Sequence, residues 1–344
     1  MKALIAPRPI LIAVLLVVAF GNACSGPDSS EVTFVAVGDI MLGRHIGKVI
    51  SRKGNPSPFE KIRPVLQKSD ILFGNLESVI GENYTVPNFQ DKPYNFIAHP
   101  RVVGILKGAG FSVLSLANNH AMDFGAGALS ETRRLLKEQG IADFGAGTNI
   151  NDARRPTELS RGGLRFGFLG YGVAHSREAY ATTQRAGLAP FVMEEIQQDI
   201  QDLRKRVDVL IVSLHWGIEY ETAPSGQQRA EAHQIIDWGA DMIIGHHPHV
   251  LQGVELYKGK LIAYSLGNFL FDQKHNGTGR GAMLVCSFRK NAPYSAEIVP
   301  LDRYHSYFPM IATGEAAEHI LKEMKAMSAP LNADAGALSS VGLK

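Results

Sequence analysis

Cysteine is nearly absent: the 344 residues hold two, Cys24 and Cys286. A lone cysteine in the body of the chain excludes an internal disulfide framework. Cys286, inside the strand-like run Met283–Phe288, is expected to pack as a small hydrophobe. Net charge is also scarce. The formal value is +2, and it falls to zero if Lys2 and Arg8 leave with an N-terminal segment. No basic excess therefore points to nucleic acid, and none steers an anionic partner to the whole surface. Long apolar runs are missing: the stretch Ile10–Phe20 is short of the roughly 20 residues a spanning helix needs. There is no solenoid period, and Gly125-x-Gly127-x-x-Ser130 lacks the third glycine and the preceding strand of a dinucleotide fingerprint. What remains, 45% hydrophobic and 20% charged residues, is an ordinary globular composition that the core must stabilise unaided.

Lys2 and Arg8 ahead of the Ile10–Phe20 stretch, with small residues after it, form a secretory signal. Residues 1–23 are expected to be that signal peptide. Gly21-Asn22-Ala23-Cys24 resembles a bacterial lipoprotein processing site, although Gly21 stands where a Leu-like residue is usual. Lipidation of Cys24 would anchor the chain to the outer face of a bacterial membrane without spanning it. Ordinary cleavage after Ala23, giving a soluble secreted or periplasmic protein, is the alternative. Residues 24–31 then read as a polar linker, 32–305 as the domain, and 306–344 as a C-terminal helix (315–326) with a loose tail after Pro330.

From Val32 onward, short apolar runs alternate with amphipathic stretches. Val32–Val37, Ile71–Phe73, Ser112–Leu116, Leu164–Leu169, Val209–Leu214 and Met242–Ile244 predict strands. Ala128–Gln139, Met193–Arg206 and Gly226–Trp238 predict helices. Beyond them, Val254–Tyr257, Leu261–Tyr264, Ala282–Phe288 and Ala296–Pro300 predict successive strands. Alternation followed by a run of strands argues for an α/β fold with mixed sheets.

The polar residues concentrate where these strands end, the edge at which open α/β sheets bind ligands. Gly38-Asp39 and Arg44 follow the first strand, Asn75 and Glu77 the second, and Asn118-Asn119-His120 with Asp123 the third. His215-Trp216 follows a run of Val, Leu and Ile, and Glu219 lies shortly beyond. His246-His247-Pro-His249 follows the sixth strand, and Asn268 ends a later one. Each piece has a plain structural explanation: Asp39 as a helix cap, Asn118 and Asn119 in left-handed turns, His215 as a satisfied interior histidine. Together, carboxylate, amide and imidazole at successive strand ends form a ligand set suited to Mn, Fe or Zn, and too large for a closed four-ligand zinc site. His45, His99, His175, His233, His275 and His305 lack such context and are expected to be structural or solvent-facing.

Gly38-Asp39-Ile-Met-Leu-Gly-Arg44, Asn118-Asn-His-Ala-Met-Asp123-Phe-Gly125, His215-Trp-Gly-Ile-Glu219-Tyr220, Gly239–His249 and Tyr264-Ser-Leu-Gly-Asn268-Phe269 occur in the order of the CapA family of poly-γ-glutamate capsule synthesis proteins. From about Val32 to Tyr304 the chain resembles that family, itself related to the calcineurin-like metallophosphoesterases. The resemblance implies a four-layer α/β/β/α sandwich with two mixed sheets and a metal centre at the sheet edges. It implies Asp39, Glu77, Asn119, His215, His247 and His249 as metal ligands, with His246 an alternate. Met41 stands where the wider superfamily has a ligating histidine. Glu77 lies near the bridging aspartate position but is one methylene longer. One tight divalent ion and one weak or absent one are the expectation.

Two functions follow. In the first, a metal-dependent hydrolase or transferase acts on a phosphoester or a γ-glutamyl amide. Glu77, Asn119, His215 and His247 hold one ion, and Asp39 and His249 a second. Arg44 binds an anionic group, His120 protonates the leaving group and Asp123 orients it. Asn75, Asn118, Trp216, Glu219 and Asn268 share these loops and are candidates for substrate contact. In the second, a non-catalytic lipoprotein binds an anionic envelope polymer or its synthesis and export machinery, and any metal is structural or vestigial.

Overall fold

The structure is a computed structural model that describes residues 31–52, 57–89, 92–303, 307–332 and 335–343. The signal segment, Cys24 and His305 lie outside the described residues. Alternation of side chains along strands fixes the layers. In β1 (Val32–Ile40), Phe34 and Ala36 face one way while Val35 and Val37 face the other, and both sets are buried. A strand covered on both faces must lie between other layers.

Around β1 the chain builds β2 (Ile71–Leu76), β3 (Phe111–Ser115), β4 (Ala142–Phe144), β5 (Thr157–Arg161), β6 (Leu164–Gly172), β7 (Val209–His215) and β8 (Met242–His246). It continues through β9 (Val254–Tyr257), β10 (Lys260–Ala263), β11 (Asn268–Leu270), β12 (Arg280–Phe288), β13 (Ser295–Asp302) and β14 (Met310–Ile311). One sheet runs β14-β13-β12-β1-β2-β3-β4, with β11 also paired to β1; the other runs β9-β10-β8-β7-β6-β5. Both are mixed: β1 to β4 are parallel while β12 is antiparallel to β1, and β6, β7, β8 and β10 are parallel while β5 and β9 run antiparallel.

Phe34, Phe73 and Phe144 of the first sheet meet Phe166, Phe168 and Ile211 of the second in a shared core. The outer face of the first sheet packs on α1 (Arg44–Ile50), α2 (Val102–Ala109) and α3 (Gly125–Glu138) through Ile46, Leu106 and Leu136. The outer face of the second packs on α4 (Met193–Arg204) and α5 (Gly226–Asp237) through Ile196, Ile200, Leu203 and Ile235. The result is the four-layer α/β/β/α sandwich with two mixed sheets. No described helix is long and apolar enough to cross a membrane.

The sequence pattern did not predict α2, because Gly104 and Gly108 weaken its helix signal; it ends at Gly110, left-handed at φ 100°. The loose tail is also corrected. After α6 (Gly314–Ser328), Leu338, Val341 and Leu343 are buried in the core between the sheets, so this segment packs back instead of trailing. Cys286 is buried in β12, and burial pushes its thiol pKa up, as expected of an inert packing group.

Phe34 is fully buried and lies 6.3 Å by ring centroid from each of Phe73, Phe168 and Phe288. Phe34→Ala should therefore cost about 3–5 kcal/mol by cavity formation. Urea unfolding would show this as a lowered midpoint at unchanged slope; a change below about 1 kcal/mol would contradict the role given to the intersheet core.

Candidate metal centre

Strand register brings the polar residues together. Asp39 of β1 lies beside Asn268 on one flank and Asn75 on the other. His215 pairs with His246 at the ends of β7 and β8, and both are buried. The parallel strands of the two sheets thus deliver one carboxylate edge and one imidazole edge to a common place.

At the centre, Asn75 Nδ2 donates to Asp39 Oδ1 at 2.9 Å, lies 3.5 Å from Glu77 Oε2, and lies 3.3 Å from His215 Nδ1. His215 Nε2 is 2.9 Å from Asn119 Oδ1. His249 Nδ1 is 3.4 Å from Asp39 Oδ2, and its Nε2 is 3.5 Å from Glu77 Oε1. His246 Nδ1 lies 3.3 Å from Asp39 Oδ1, and the His247 amide donates to Asp39 Oδ2 at 3.3 Å. His247 and His249 both adopt left-handed backbone, at φ 99° and 60°, a strained arrangement for non-glycine residues.

Burial opposes ionisation of Asp39, but hydrogen bonds and charge from His246 and His249 hold its pKa well below the usual carboxylate value. Glu77 is pushed well above the ordinary value by burial and then by the Asp39 carboxylate. His215 is held well below the usual imidazole value by burial and by neighbouring His247, while burial and His249 push His247 down to about 3. Neutral imidazoles are what metal ligation requires.

The donor set fits a divalent cation. One ligand atom each from Asp39, Glu77 and His215 lie within 4.8 Å of one another, as do atoms from Glu219, His247 and His249. Glu77 Oε1 and His247 Nδ1 are buried without a hydrogen-bond partner in the described protein. Oxygen and nitrogen donors converging in this way suit Mn, Fe or Zn.

Beside this cluster opens a cavity of about 520 Å³ whose wall includes Arg44, Lys92, Asn119, His120, Glu219, Tyr220 and His249. Arg44 pairs with Asp272 at 3.2 Å and covers the rings of Tyr94 and Phe96. His120 stacks on Phe96 at 4.0 Å, and its Nδ1 lies 2.6 Å from Asp123 Oδ2 and 3.1 Å from Lys92 Nζ. Its Nε2 lies 3.7 Å from Glu77 Oε1.

Several expectations need correction. Asn75, Asn118, Trp216 and Asn268 are buried and do not line this cavity. Asn118 Nδ2 donates to Asn75 Oδ1 at 3.0 Å, Asn268 Oδ1 lies 3.0 Å from His249 Nδ1, and Trp216 stacks on Tyr264 in the core. His175 and His275 are exposed as expected, yet both line the cavity. Lys92, unremarked in the sequence, has an almost fully buried side chain. It pairs with Asp123 Oδ1 at 2.5 Å and donates to the Asn119 carbonyl at 2.7 Å. A lysine in a polar loop between predicted elements carried no signal of that burial.

The four layers and the two mixed sheets, with the polar cluster at their strand ends, define a metallophosphoesterase-like fold. A solved structure described as a novel phosphatase, from Mycoplasma pneumoniae, superposes with a TM-score of 0.50 at 11% identity, over 80% of this chain and 95% of that one. That likeness concerns the fold. The family profile described as "Bacterial capsule synthesis protein PGA_cap" matches residues 33–273. The "Capsule biosynthesis protein CapA" of Bacillus anthracis is 37% identical over 280 residues, covering 80% of this chain and 68% of that protein. The "PGA biosynthesis protein CapA" of Bacillus subtilis (strain 168) is 36% identical over 269 residues, covering 77% and 70%. The chain belongs to the PGA_cap family of bacterial capsule synthesis proteins.

Burial pushes Asp123 up to about 7, against the pull of Lys92, and lowers Lys92 from its usual value. Removing one partner leaves the other charge buried and unpaired. Lys92→Met alone should cost about 3–5 kcal/mol, and the double variant Lys92→Met/Asp123→Asn clearly less. Equal losses in the single and double variants, read by chemical denaturation, would remove the pair from this account.

Proposed function

We propose that this protein serves the synthesis of an anionic envelope polymer, poly-γ-glutamate or a related one, through a metal-dependent hydrolase or transferase site. The observation that carries the reading is the buried convergence of Asp39, Glu77 and His215 ligand atoms within 4.8 Å, bordering a cavity with cationic side chains. Asp39, Glu77, Asn119 and His215, with His247 and His249 beside them, would hold one or two divalent ions, Mn, Fe or Zn. Such an ion supplies Lewis-acid polarisation of a substrate oxygen and acidification of water.

The chain's own groups do the rest. Arg44 orients an anionic substrate group through its donor fork, held by Asp272. Burial, and next the Lys92 charge, keep the His120 ring neutral. His120 takes a proton at Nε2 from the attacking water or hydroxyl and delivers it to the leaving group, while Asp123 fixes the ring from Nδ1. The bond cleaved is a phosphoester or a γ-glutamyl amide. Export and lipidation at Cys24 would place the site on the outer face of the membrane, beside the polymer's synthesis and export machinery. Cytosolic ATP does not reach that face, so ATP-driven polymerisation belongs to other proteins.

A second reading, a non-catalytic polymer-binding accessory, draws on the same cationic wall of Arg44, Lys92 and Lys274. Full-length protein loaded with Mn²⁺ and assayed on phosphoesters and γ-glutamyl peptides separates the two. Metal-dependent turnover is expected, and His215→Ala should abolish it. Unchanged turnover in that variant would overturn the site assignment, and stoichiometric metal without turnover on either class would favour the accessory role.

A further inference from the structure

We propose that Glu219 completes a second divalent-cation site with His247 and His249, distinct from the ion held by Asp39, Glu77 and His215. The inference rests on the metal-centre reading above and extends it to a residue first considered for substrate contact. One carboxylate oxygen of Glu219 and one ring nitrogen each of His247 and His249 lie within 4.8 Å of one another. His247 Nδ1 is buried without a hydrogen-bond partner.

The backbone is built to hold this group. The loop after β7 is fastened to the turn after β8 by Trp216 N–H to His246 O at 3.1 Å and Tyr220 N–H to Pro248 O at 2.8 Å. Those two bonds bracket Glu219 on one side and His247 on the other, with His249 the next residue beyond. Gly217 turns the loop at φ 89°, and a Cβ there would lie 2.8 Å from Gln228 Nε2. Tyr220, His247 and His249 are all left-handed, at φ 68°, 99° and 60°. Three strained residues at one junction mark a geometry maintained for function.

The position also answers the departure at Met41. That side chain is buried, and its sulfur accepts the Gly43 amide at 3.1 Å, so it offers nothing to the cluster. Glu219 brings an oxygen from a different loop, facing the cavity. One carboxylate and two imidazoles leave open coordination positions for substrate, as catalytic sites require. His249, 3.4 Å from Asp39 and 3.5 Å from Glu77, stands between the two groups.

The test is Mn²⁺ titration of metal-stripped full-length protein by calorimetry, with electron paramagnetic resonance on the loaded samples. Wild type should bind two Mn²⁺ and show a spin-coupled signal. Glu219→Gln should keep the tighter ion and weaken the other by about tenfold or more, leaving an uncoupled six-line spectrum. His215→Ala should spare the Glu219 site and lose the tighter ion. Glu219 is exposed, so matching melting curves for the metal-free proteins are the control for folding. Two ions with wild-type affinity in Glu219→Gln, or a single wild-type ion that this variant leaves untouched, would overturn the assignment. A wild-type protein that takes no Mn²⁺ would instead sink the metal-centre reading itself.

Discussion

Two carboxylates buried side by side set the terms for the rest of this molecule. Asp39 and Glu77 are fully buried among amides and imidazoles, and among the described residues no arginine or lysine is hydrogen-bonded to either. Taking an ion out of water costs several kcal/mol unless charge and hydrogen bonds compensate. Here the compensation is divided: imidazoles favour the ionised Asp39, while Glu77 is driven toward its protonated form by burial and by Asp39. A divalent cation would satisfy both carboxylates at once.

The architecture follows from the need to bring distant groups to that point. Phenylalanines fill the space between the sheets and set their relative placement. The parallel strands then end at one edge, so a carboxylate on β1 and imidazoles at the ends of β7 and β8 become neighbours despite lying far apart in sequence. Around them runs a layer of amides. Asn118 fixes Asn75, Asn75 reaches Asp39, and Asn268 sets His249. These buried side chains orient the candidate ligands Asp39 and His249 from behind the cavity wall.

Much of this was legible in the chain. Alternating apolar runs marked the central strands because a doubly covered sheet needs continuous Val, Ile and Leu. Position after such a run marked the loops that hold Asp39, Glu77, Asn119, His215, His247 and His249, and the family resemblance named those six as ligands. The roles of Asn75, Asn118, Trp216 and Asn268 were not legible, since position at a strand end does not say whether a side chain turns toward solvent or inward. Lys92 and the cavity-facing His175 and His275 come from long connections whose path depends on tertiary packing. The packed tail was hidden for a similar reason: Leu338, Val341 and Leu343 are too sparse to form a pattern, yet each finds the core.

The central claim is that the groups on the two sheets share an ion. A crystal structure of the full-length protein grown with Mn²⁺, with anomalous data collected at the manganese edge, tests it most directly. The account predicts an anomalous peak within coordination distance of Asp39, Glu77 and His215. Peaks confined to the protein surface, with these three side chains still hydrogen-bonded to one another, would contradict it.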